Sequence, residues 1–153
     1  MISVWRIVKQ KHAKNAFDGE GARLYGGRWN YPGKPAIYTA ESRALALAEI
    51  LVHLGSSSVL SKYTVFRLDI KESHVNHLDL SRLPKNWRAD PPPRRLQIIG
   101  DEWLASRKSA ALRIPSAIVP GEFNYLLNPL HPDFSEFVIH SPERFPIDKR
   151  LVE

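Results

Sequence analysis

The segment GARLYGGRWNYPG, at residues 21–33, constrains the fold more than any other stretch of the chain. Its glycines weaken regular structure, and Pro32 and Pro35 close it, so the sequence predicts a segment that is mostly loop. This loop separates two predicted strands. SVWRIV at residues 3–8 is rich in β-branched and aromatic side chains, and PAIYTA at residues 35–40 is typical of a short buried strand.

The clearest predicted helix is ESRALALAEILVHL, at residues 41–54. Alanine and leucine dominate it, Thr39 or Ser42 can cap its start, and Gly55 is placed to end it. Because the helix is apolar nearly all round, we expect it to be buried on several faces.

A second helix is predicted in RLQIIGDEWLASRKS, residues 95–109, with Gly100 as its weak point. The remaining patterns predict strands at 63–70, 75–80, 111–121 and 136–147, a loop at 56–58, and irregular, proline-containing segments at 84–93 and 124–134. Strands outnumber helices and no boundary interrupts the chain. We therefore expect the α+β class and a single domain over residues 1–153.

The composition limits the classes of partner. The chain has 153 residues, enough for one core, and a formal net charge of +6, which favours an anionic partner such as nucleic acid, a nucleotide or an acidic protein. The basic residues are scattered rather than gathered in one run. The absence of cysteine excludes disulfides, thiolate metal sites and a cysteine nucleophile. Apolar runs are too short for a signal peptide or a membrane span, so we expect a cytoplasmic protein without a membrane partner.

Arg28 is a candidate anion-binding residue. It follows Gly26 and Gly27, where a backbone without side chains admits a ligand closely, and its planar guanidinium suits phosphate. Trp29 and nearby tyrosines offer flat faces for a ring. The alternative is a turn in which Arg28 pairs with a carboxylate and the aromatic residues pack in the core. Neither of the common glycine-rich phosphate-loop motifs is present.

Glu49 is a candidate catalytic carboxylate on the first helix. Its helix neighbours are mostly apolar, so it lies either at the margin of the surface, or paired in the core, or in a cleft where positive charge develops. The helix pattern alone favours a structural role. Tyr38 fits a packed strand tyrosine, and Ser116 lacks the turn of a hydrolase nucleophile, so it is at most an orienting hydroxyl. His74 and His77, three residues apart on a strand or loop, predict no metal site.

Three motifs in a fixed order resemble one known family. GGRWN is followed by AIYTAES with Glu49 seven residues beyond that motif's final serine, and then by RIPSAIVPGEFNYLLNP. This order resembles the RES domain family, which is named after an arginine, a glutamate and a serine. Arg28, Glu49 and Ser116 match those three residues, and the resemblance covers essentially the whole chain.

The resemblance implies a toxin of a bacterial toxin–antitoxin pair with an ADP-ribosyltransferase-like fold around a mixed β core. It implies destruction of NAD⁺, by hydrolysis or by phosphorolysis, with NAD⁺ as the substrate and no further cofactor or metal. Some relatives modify proteins by ADP-ribosylation instead. The implied partner is an Xre-type helix-turn-helix antitoxin that blocks the active site, so DNA would be contacted only through the antitoxin.

The resemblance also implies roles at the phosphate and nicotinamide ends of NAD⁺. Arg28 would hold a phosphate, and the faces of Trp29 or a tyrosine would flank the nicotinamide. Tyr38 would stack on or orient the nicotinamide ribose. Breaking the nicotinamide–ribose bond gives the sugar oxocarbenium character, and a carboxylate lowers that barrier.

Glu49 would be that carboxylate, and it could also hold a ribose hydroxyl. Ser116 would hydrogen-bond the substrate or Glu49, and Asn124 in the GEFN stretch is a candidate for the same pocket. Two further functions stay open: a nucleic-acid-binding or RNA-cleaving toxin, and a binding module that has lost catalysis. The scattered basic residues count against the first and the intact motif residues against the second.

Overall fold

A computed structural model describes residues 1–54 and 61–152 of the chain. It contains strands β1 (Ile2–Lys9), β2 (Ile37–Ala40), β3 (Tyr63–Ile70), β4 (Val75–His77), β5 (Ala111–Pro115), β6 (Phe123–Leu127), β7 (Val138–Ile139) and β8 (Glu143–Arg144), and helices α1 (Glu20–Tyr25), α2 (Arg43–Leu51) and α3 (Arg94–Ser106). Short 3₁₀ turns join several of these elements. The α+β class is confirmed.

The strands form one mixed sheet in the order β4-β5-β6-β2-β1-β3-β7, and β8 also pairs with β3. The β4–β5 pair is parallel, and the other pairs are antiparallel. The centre of the sheet is unevenly paired. β1 pairs with β3 over its whole length, from Ile2↔Ile70 to Lys9↔Tyr63, but it pairs with β2 only at Trp5↔Ala40. The sheet therefore opens between β1 and β2.

Three groups of buried side chains stabilise the sheet. One lies between the central strands and includes Val4 and Leu68, a second lies under α3 and includes Leu96, and a third lies under α2 and includes Leu45. Each of these side chains is at most 1% exposed. Burial of one such side chain contributes about 1.5–3 kcal/mol, so the three groups hold both halves of the open sheet in place.

The prediction of loop across residues 21–33 is wrong at its start, where α1 forms. Gly19 is the N-cap residue, the Asp18 carboxylate accepts the backbone N–H of Glu20 at 2.9 Å just before the first turn, and Glu20 forms an ion pair with Arg23. Gly19 and Gly26, with φ of 72° and 73°, lie just outside the helix. Gly19 and Gly26 therefore mark the two ends of a short helix, although the number of glycines in this segment predicts a loop.

The prediction of an irregular segment at residues 124–134 is also wrong at its start. Strand β6 occupies Phe123–Leu127 and pairs on both sides, with β2 and with β5. Pro129 and Pro132 follow this strand rather than interrupt it, so they do not oppose its formation. The predicted strand at 111–121 instead ends at Pro115, because the chain turns at Ser116.

Helix α2 is capped as predicted but is shorter and less buried. The Ser42 hydroxyl accepts the N–H of Leu45 at 3.0 Å, the helix ends at Leu51, and Leu45 and Ala46 are its buried residues. The predicted stop at Gly55 and loop at 56–58 lie outside the described residues.

Gly100 in α3 is a packing requirement rather than a weak point. A Cβ atom there would lie 1.6 Å from the carbonyl oxygen of Trp29, so the absence of a side chain lets the backbone of residue 29 contact the helix. The glycine that lowers helix propensity thus fixes the position of the GGRWN segment against α3.

Candidate active site

The opening between β1 and β2 leads into a cavity of about 810 Å³. Its walls come from both strands, from α2, from the segment at residues 25–29, from residues 88–92 and from residues 114–118. The lining includes Arg28, Tyr38, Glu49 and Asn124, and Ser116 lies directly behind Glu49. Elements far apart in the chain therefore bring the predicted site residues together.

Glu49 is held through one of its two carboxylate oxygens. Oε1 accepts the hydroxyl of Ser116 at 2.8 Å and the Nδ2 amide of Asn124 at 2.7 Å. Ser116 is 1% exposed, and its Oγ accepts the backbone N–H groups of Ile118 and Val119, both at 3.1 Å. These two bonds leave the hydroxyl proton for Glu49. The carboxylate is thus fixed in orientation at the half-buried end of α2.

The side chain of Asn124 on β6 donates a hydrogen bond to Glu49 and makes none to any other described side chain. Its Oδ1 atom is buried and has no hydrogen-bond partner within the described parts of the chain. Among the described residues, Oε2 of Glu49 also has no partner. Ser116 and Asn124 therefore act on the same carboxylate oxygen and leave the other one for the cavity.

Arg28 makes contacts that neither sequence interpretation predicted. Its Nη1 donates to the backbone carbonyl oxygens of Trp87, at 3.1 Å, and Ala89, at 2.9 Å. Among the described residues it has no carboxylate partner, so the expected structural alternative of an ion pair is not what holds it. Neutral carbonyls leave the guanidinium charge unbalanced beside the cavity, where an anion would be favoured.

Tyr38 organises the GGRWN segment through its hydroxyl. That hydroxyl accepts the N–H of Trp29 at 3.0 Å and donates to Oδ1 of the buried Asn30 at 2.6 Å. Burial raises the pKa of the Tyr38 phenol well above its usual range, so it stays protonated. A Cβ atom on Gly27 would lie 2.6 Å from the Tyr38 oxygen, which explains why glycine is needed there.

Trp29 borders the cavity but is not available as a stacking face. Its side chain is 2% exposed and packs with Leu96 and Ile99 in the core under α3. A ring buried in this way has no open face for a base in this structure, and the role of Trp29 in substrate binding stays a prediction. The aromatic residues with accessible surface at the cavity are Trp5 and Tyr38, which are half-buried, and Tyr25, which is 84% exposed.

A model of the RES domain matches residues 3–148 of the chain. This chain belongs to the RES domain family. A protein named Toxin Res from Photorhabdus laumondii is 41% identical over 152 residues, covering 98% of this chain and 97% of the relative. Toxin Res from Yersinia enterocolitica is 43% identical, covering 98% and 99%. A Prs ADP-ribosylating toxin from a Sphingobium species is 36% identical, covering 98% and 96%.

The fold agrees with that of a solved chain. A chain in the crystal structure of the M. tuberculosis MbcT–MbcA toxin–antitoxin complex superposes on this RES domain with a TM-score of 0.78 and 19% sequence identity. The match covers 94% of this chain and 84% of that chain. The RES domain thus shares its fold with a known structure.

Arg6 is a cavity residue of the RES domain that sequence reasoning missed. From β1 its Nε donates to the carbonyl oxygen of Ala16 at 2.8 Å, and its Nη1 to that of Tyr38 at 2.9 Å. Burial lowers the pKa of Arg6 to about 10, and the charge of Asp18 opposes that shift, so the side chain is cationic at neutral pH. An arginine inside the apolar strand SVWRIV was the available signal, because a buried cation needs partners.

His74, one of the two histidines considered in the sequence, lies among acidic residues. His74 lies 3.2 Å from Glu136, and the ligand atoms of His74, Asp133 and Glu136 all lie within 4.8 Å of one another. Lys71 also reaches Glu136, at 3.8 Å, and it would compete with a bound cation. This group lies away from the cavity and does not take part in its chemistry.

No helix in the described part of the RES domain is both long enough and apolar enough to cross a membrane.

Proposed function

We propose that this RES domain is the toxin of a bacterial toxin–antitoxin pair and that it cleaves the nicotinamide–ribose bond of NAD⁺. The observation that carries the proposal is the position of Glu49, a carboxylate held by two hydrogen-bond donors at the wall of the cavity. Among the described residues, the arginines that line this cavity have no carboxylate partner. Two relatives of full length are named Toxin Res, and another is named as an ADP-ribosylating toxin. ADP-ribosylation breaks this same bond of NAD⁺.

Glu49 would act on the charge that develops as nicotinamide leaves. The breaking bond places positive charge on the ribose, and a preorganised carboxylate stabilises that charge more than it stabilises the ground state. Ser116 and Asn124 bind Oε1, so Oε2 is available to the sugar or to one of its hydroxyls. The two donors remove the need to order the glutamate side chain during the reaction.

The cationic residues would bind the pyrophosphate. Arg6 on β1 and Arg28 in the GGRWN segment both line the cavity, and each has backbone carbonyls as its hydrogen-bond partners. A pyrophosphate carries two negative charges and accepts forked hydrogen bonds from guanidinium groups. The cavity volume of about 810 Å³ lies within the ordinary range for small-molecule sites.

Tyr38 would contribute its ring rather than its hydroxyl. The hydroxyl is occupied by Trp29 and Asn30, while the half-buried residue lines the same cavity as Glu49. We assign it to positioning the nicotinamide ribose. Trp5 is a further aromatic residue of the lining, and the Arg43 guanidinium lies 4.7 Å from the centre of its ring.

The direct test is to incubate the purified protein with NAD⁺ and to separate the products by chromatography, with and without inorganic phosphate. We expect free nicotinamide, together with ADP-ribose if water is the acceptor or a phosphorylated ADP-ribose if phosphate is. Intact NAD⁺ together with degraded RNA would instead select the RNA-cleaving alternative. Expression of the chain alone, followed by measurement of cellular NAD⁺, tests the same activity in cells.

A second candidate is transfer of ADP-ribose to a protein, which the 36% identical relative named as an ADP-ribosylating toxin favours. Both reactions would use Glu49 and release nicotinamide. They differ in where the ADP-ribose appears. Incubation of a cell lysate with NAD⁺ labelled in the adenosine moiety separates them, because only transfer puts the label on protein.

The proposed inhibitor is an Xre-type antitoxin that inserts a segment into the mouth of the cavity. The solved chain with the same fold was crystallised in a toxin–antitoxin complex. An acidic side chain or a carboxyl terminus could pair with Arg28, whose charge has no carboxylate partner among the described residues. We expect an unreactive NAD⁺ analogue and the Arg28→Ala substitution each to weaken antitoxin binding in calorimetry. Unchanged affinity in both experiments would contradict a blocked cavity.

A further inference from the structure

The proline-rich segment at residues 84–93 forms a wall of the cavity that the RES motifs do not include. Arg88, Asp90 and Pro92 from this segment line the cavity. Trp87 packs against the core under α3, and the guanidinium carbon of Arg88 lies 4.7 Å from the centre of the Trp87 ring. The stacked tryptophan thus ties an exposed arginine to a buried part of the fold.

Arg28 fixes the backbone on both sides of Arg88. The two carbonyls that accept its Nη1 belong to Trp87 and Ala89, the residues immediately before and after Arg88. Two consecutive turns hold the same stretch, with the N–H of Trp87 bonded to Pro84 at 3.1 Å and that of Ala89 to Asn86 at 3.0 Å. The conformation of the segment is therefore set from both sides.

Arg88 differs from the other two arginines of the cavity in the donors it has left. Arg6 and Arg28 each use donors on backbone carbonyls. Among the described residues, Arg88 has no hydrogen bond and no carboxylate partner, and its contact is the face of Trp87. All of its N–H groups are available to a ligand. Asp90, two residues later, borders the same cavity with the opposite charge.

We propose that Arg88 is a phosphate-binding residue of the cavity and that Arg28, besides contacting substrate, is the positioning residue that holds Arg88 in place. This inference rests on the proposed NAD⁺ chemistry, since it names a further contact to the dinucleotide. A guanidinium with free donors beside a pyrophosphate forms charge-assisted, forked hydrogen bonds. The stacking on Trp87 reduces the side-chain entropy that binding would otherwise cost.

The first experiment measures binding of an unreactive carbocyclic NAD⁺ analogue by calorimetry. We expect Arg88→Gln to weaken binding roughly tenfold, the loss of one charge-assisted contact at an exposed site. Asp90→Asn, which removes a repelling charge from the same wall, should bind as tightly as the wild type or more tightly. Arg95→Gln is the matched control, because it removes an exposed arginine that does not line the cavity and should change affinity less than twofold.

The outcomes separate the two proposals. No binding of the analogue by the wild-type protein, with no nicotinamide released from NAD⁺, refutes the proposed function and this inference with it. Tight binding that Arg88→Gln and Arg95→Gln leave equally unchanged overturns the role of Arg88 alone. An equal loss in both variants also overturns it, because the effect would then be one of net charge.

The second experiment tests the positioning role without any substrate. Hydrogen–deuterium exchange of residues 85–92 should increase clearly in Arg28→Ala, because two carbonyls lose their donor, and should be unchanged in Arg88→Gln. Exchange in β3 serves as the internal control for folding. Arg28→Lys, which keeps one donating group, should lie between the wild type and Arg28→Ala. Equal exchange of this segment in Arg28→Ala and the wild type would show that Arg28 does not position Arg88.

Discussion

The two edges of β1 differ in how fully they are paired. With β3, all eight residues of β1 are in register, while with β2 pairing is confined to Trp5↔Ala40. The closed edge places Val4 and Leu68 in the core, each 0% exposed. At the open edge, Arg6 bonds to a carbonyl of β2 and the cavity begins.

This difference shows how one strand serves both stability and binding. A fully paired edge satisfies its backbone groups internally and leaves nothing for a ligand. An edge that separates after one pair exposes backbone carbonyls and polar side chains in a concave space. The closed edge therefore supplies rigidity to the open edge, and substitutions at the two edges should have separable effects.

The largest expected effect is at the closed edge. Leu68 lies on β3 opposite Val4 of β1, and Leu68→Ala removes its fully buried side chain. The free energy of unfolding should therefore fall by roughly 2–5 kcal/mol. Urea titration followed by circular dichroism measures this change. Leu24→Ala, at a 53% exposed position in α1, is the control and should change stability by about 0.5 kcal/mol or less. Equal losses at both positions would contradict a stabilising role for the closed edge.

At the open edge, Glu49→Gln should affect turnover and spare the fold. It keeps the shape of the side chain and removes the charge, so NAD⁺ cleavage should fall roughly 10²–10³-fold. The rate of nicotinamide release gives the comparison, with thermal unfolding as the check on folding. Glu72→Gln, an exposed glutamate outside the cavity, should behave as wild type. A folded Glu49→Gln protein with near wild-type turnover would make Glu49 structural.

Gly27→Ala should disturb the open edge by steric conflict. The added Cβ atom would lie 2.6 Å from the Tyr38 oxygen, and relieving that contact should cost roughly 1–3 kcal/mol of stability. The same substitution at Gly21, where a Cβ atom would meet nothing within 4 Å, is the matched control for stability in chemical denaturation. Combining Gly27→Ala with Tyr38→Phe removes the opposing hydroxyl and should recover part of the loss. No recovery would mean that the conflict lies elsewhere.

The smallest expected effect is the acid sensitivity of the closed edge. Hydrogen bonds from Arg67, His140 and Ser3, in that order of importance, hold the pKa of the Asp69 carboxyl on β3 far below its usual range. Such a carboxylate contributes stability above the usual pKa of aspartate, near 4, and that contribution declines as the pH falls below it. Thermal unfolding between pH 6 and pH 2 should therefore show a shallower decline in Asp69→Asn than in the wild type. Parallel curves would exclude this contribution.

The fold was predictable where local pattern and tertiary pairing agree. Strand β3 matches the alternating run at residues 63–70, and α3 lies within the predicted helix at 95–109 apart from its first residue. The prediction failed for α1 and β6. The start of α1 is held by the bond from the Glu20 N–H to Asp18 and by the Glu20–Arg23 ion pair, and β6 is stabilised by partners on both of its sides. Neither the bond to Asp18 nor the strand pairing is visible in the residues of the element itself.

The candidate site was predictable only as a set of residues. Glu49 and Ser116 could be named from the family motifs, and the structure shows that they are joined by a hydrogen bond. Trp29 had the composition of a binding face but is used in the core. Arg6 and Arg88 belong to none of the quoted motifs. Each lines the cavity because the strand or loop that contains it forms part of the cavity wall.

By itself, the sequence determined the family, the class of the fold and the identity of the motif residues, because these depend on residue types and their order along the chain. Only the tertiary structure decided which side chains share the cavity and which donors remain free. The bond from Arg28 to Trp87 spans 59 positions and that from Asn124 to Glu49 spans 75. Hydrogen bonds between residues so far apart in the chain form only when the elements pack in three dimensions, and local periodicity carries no information about that packing.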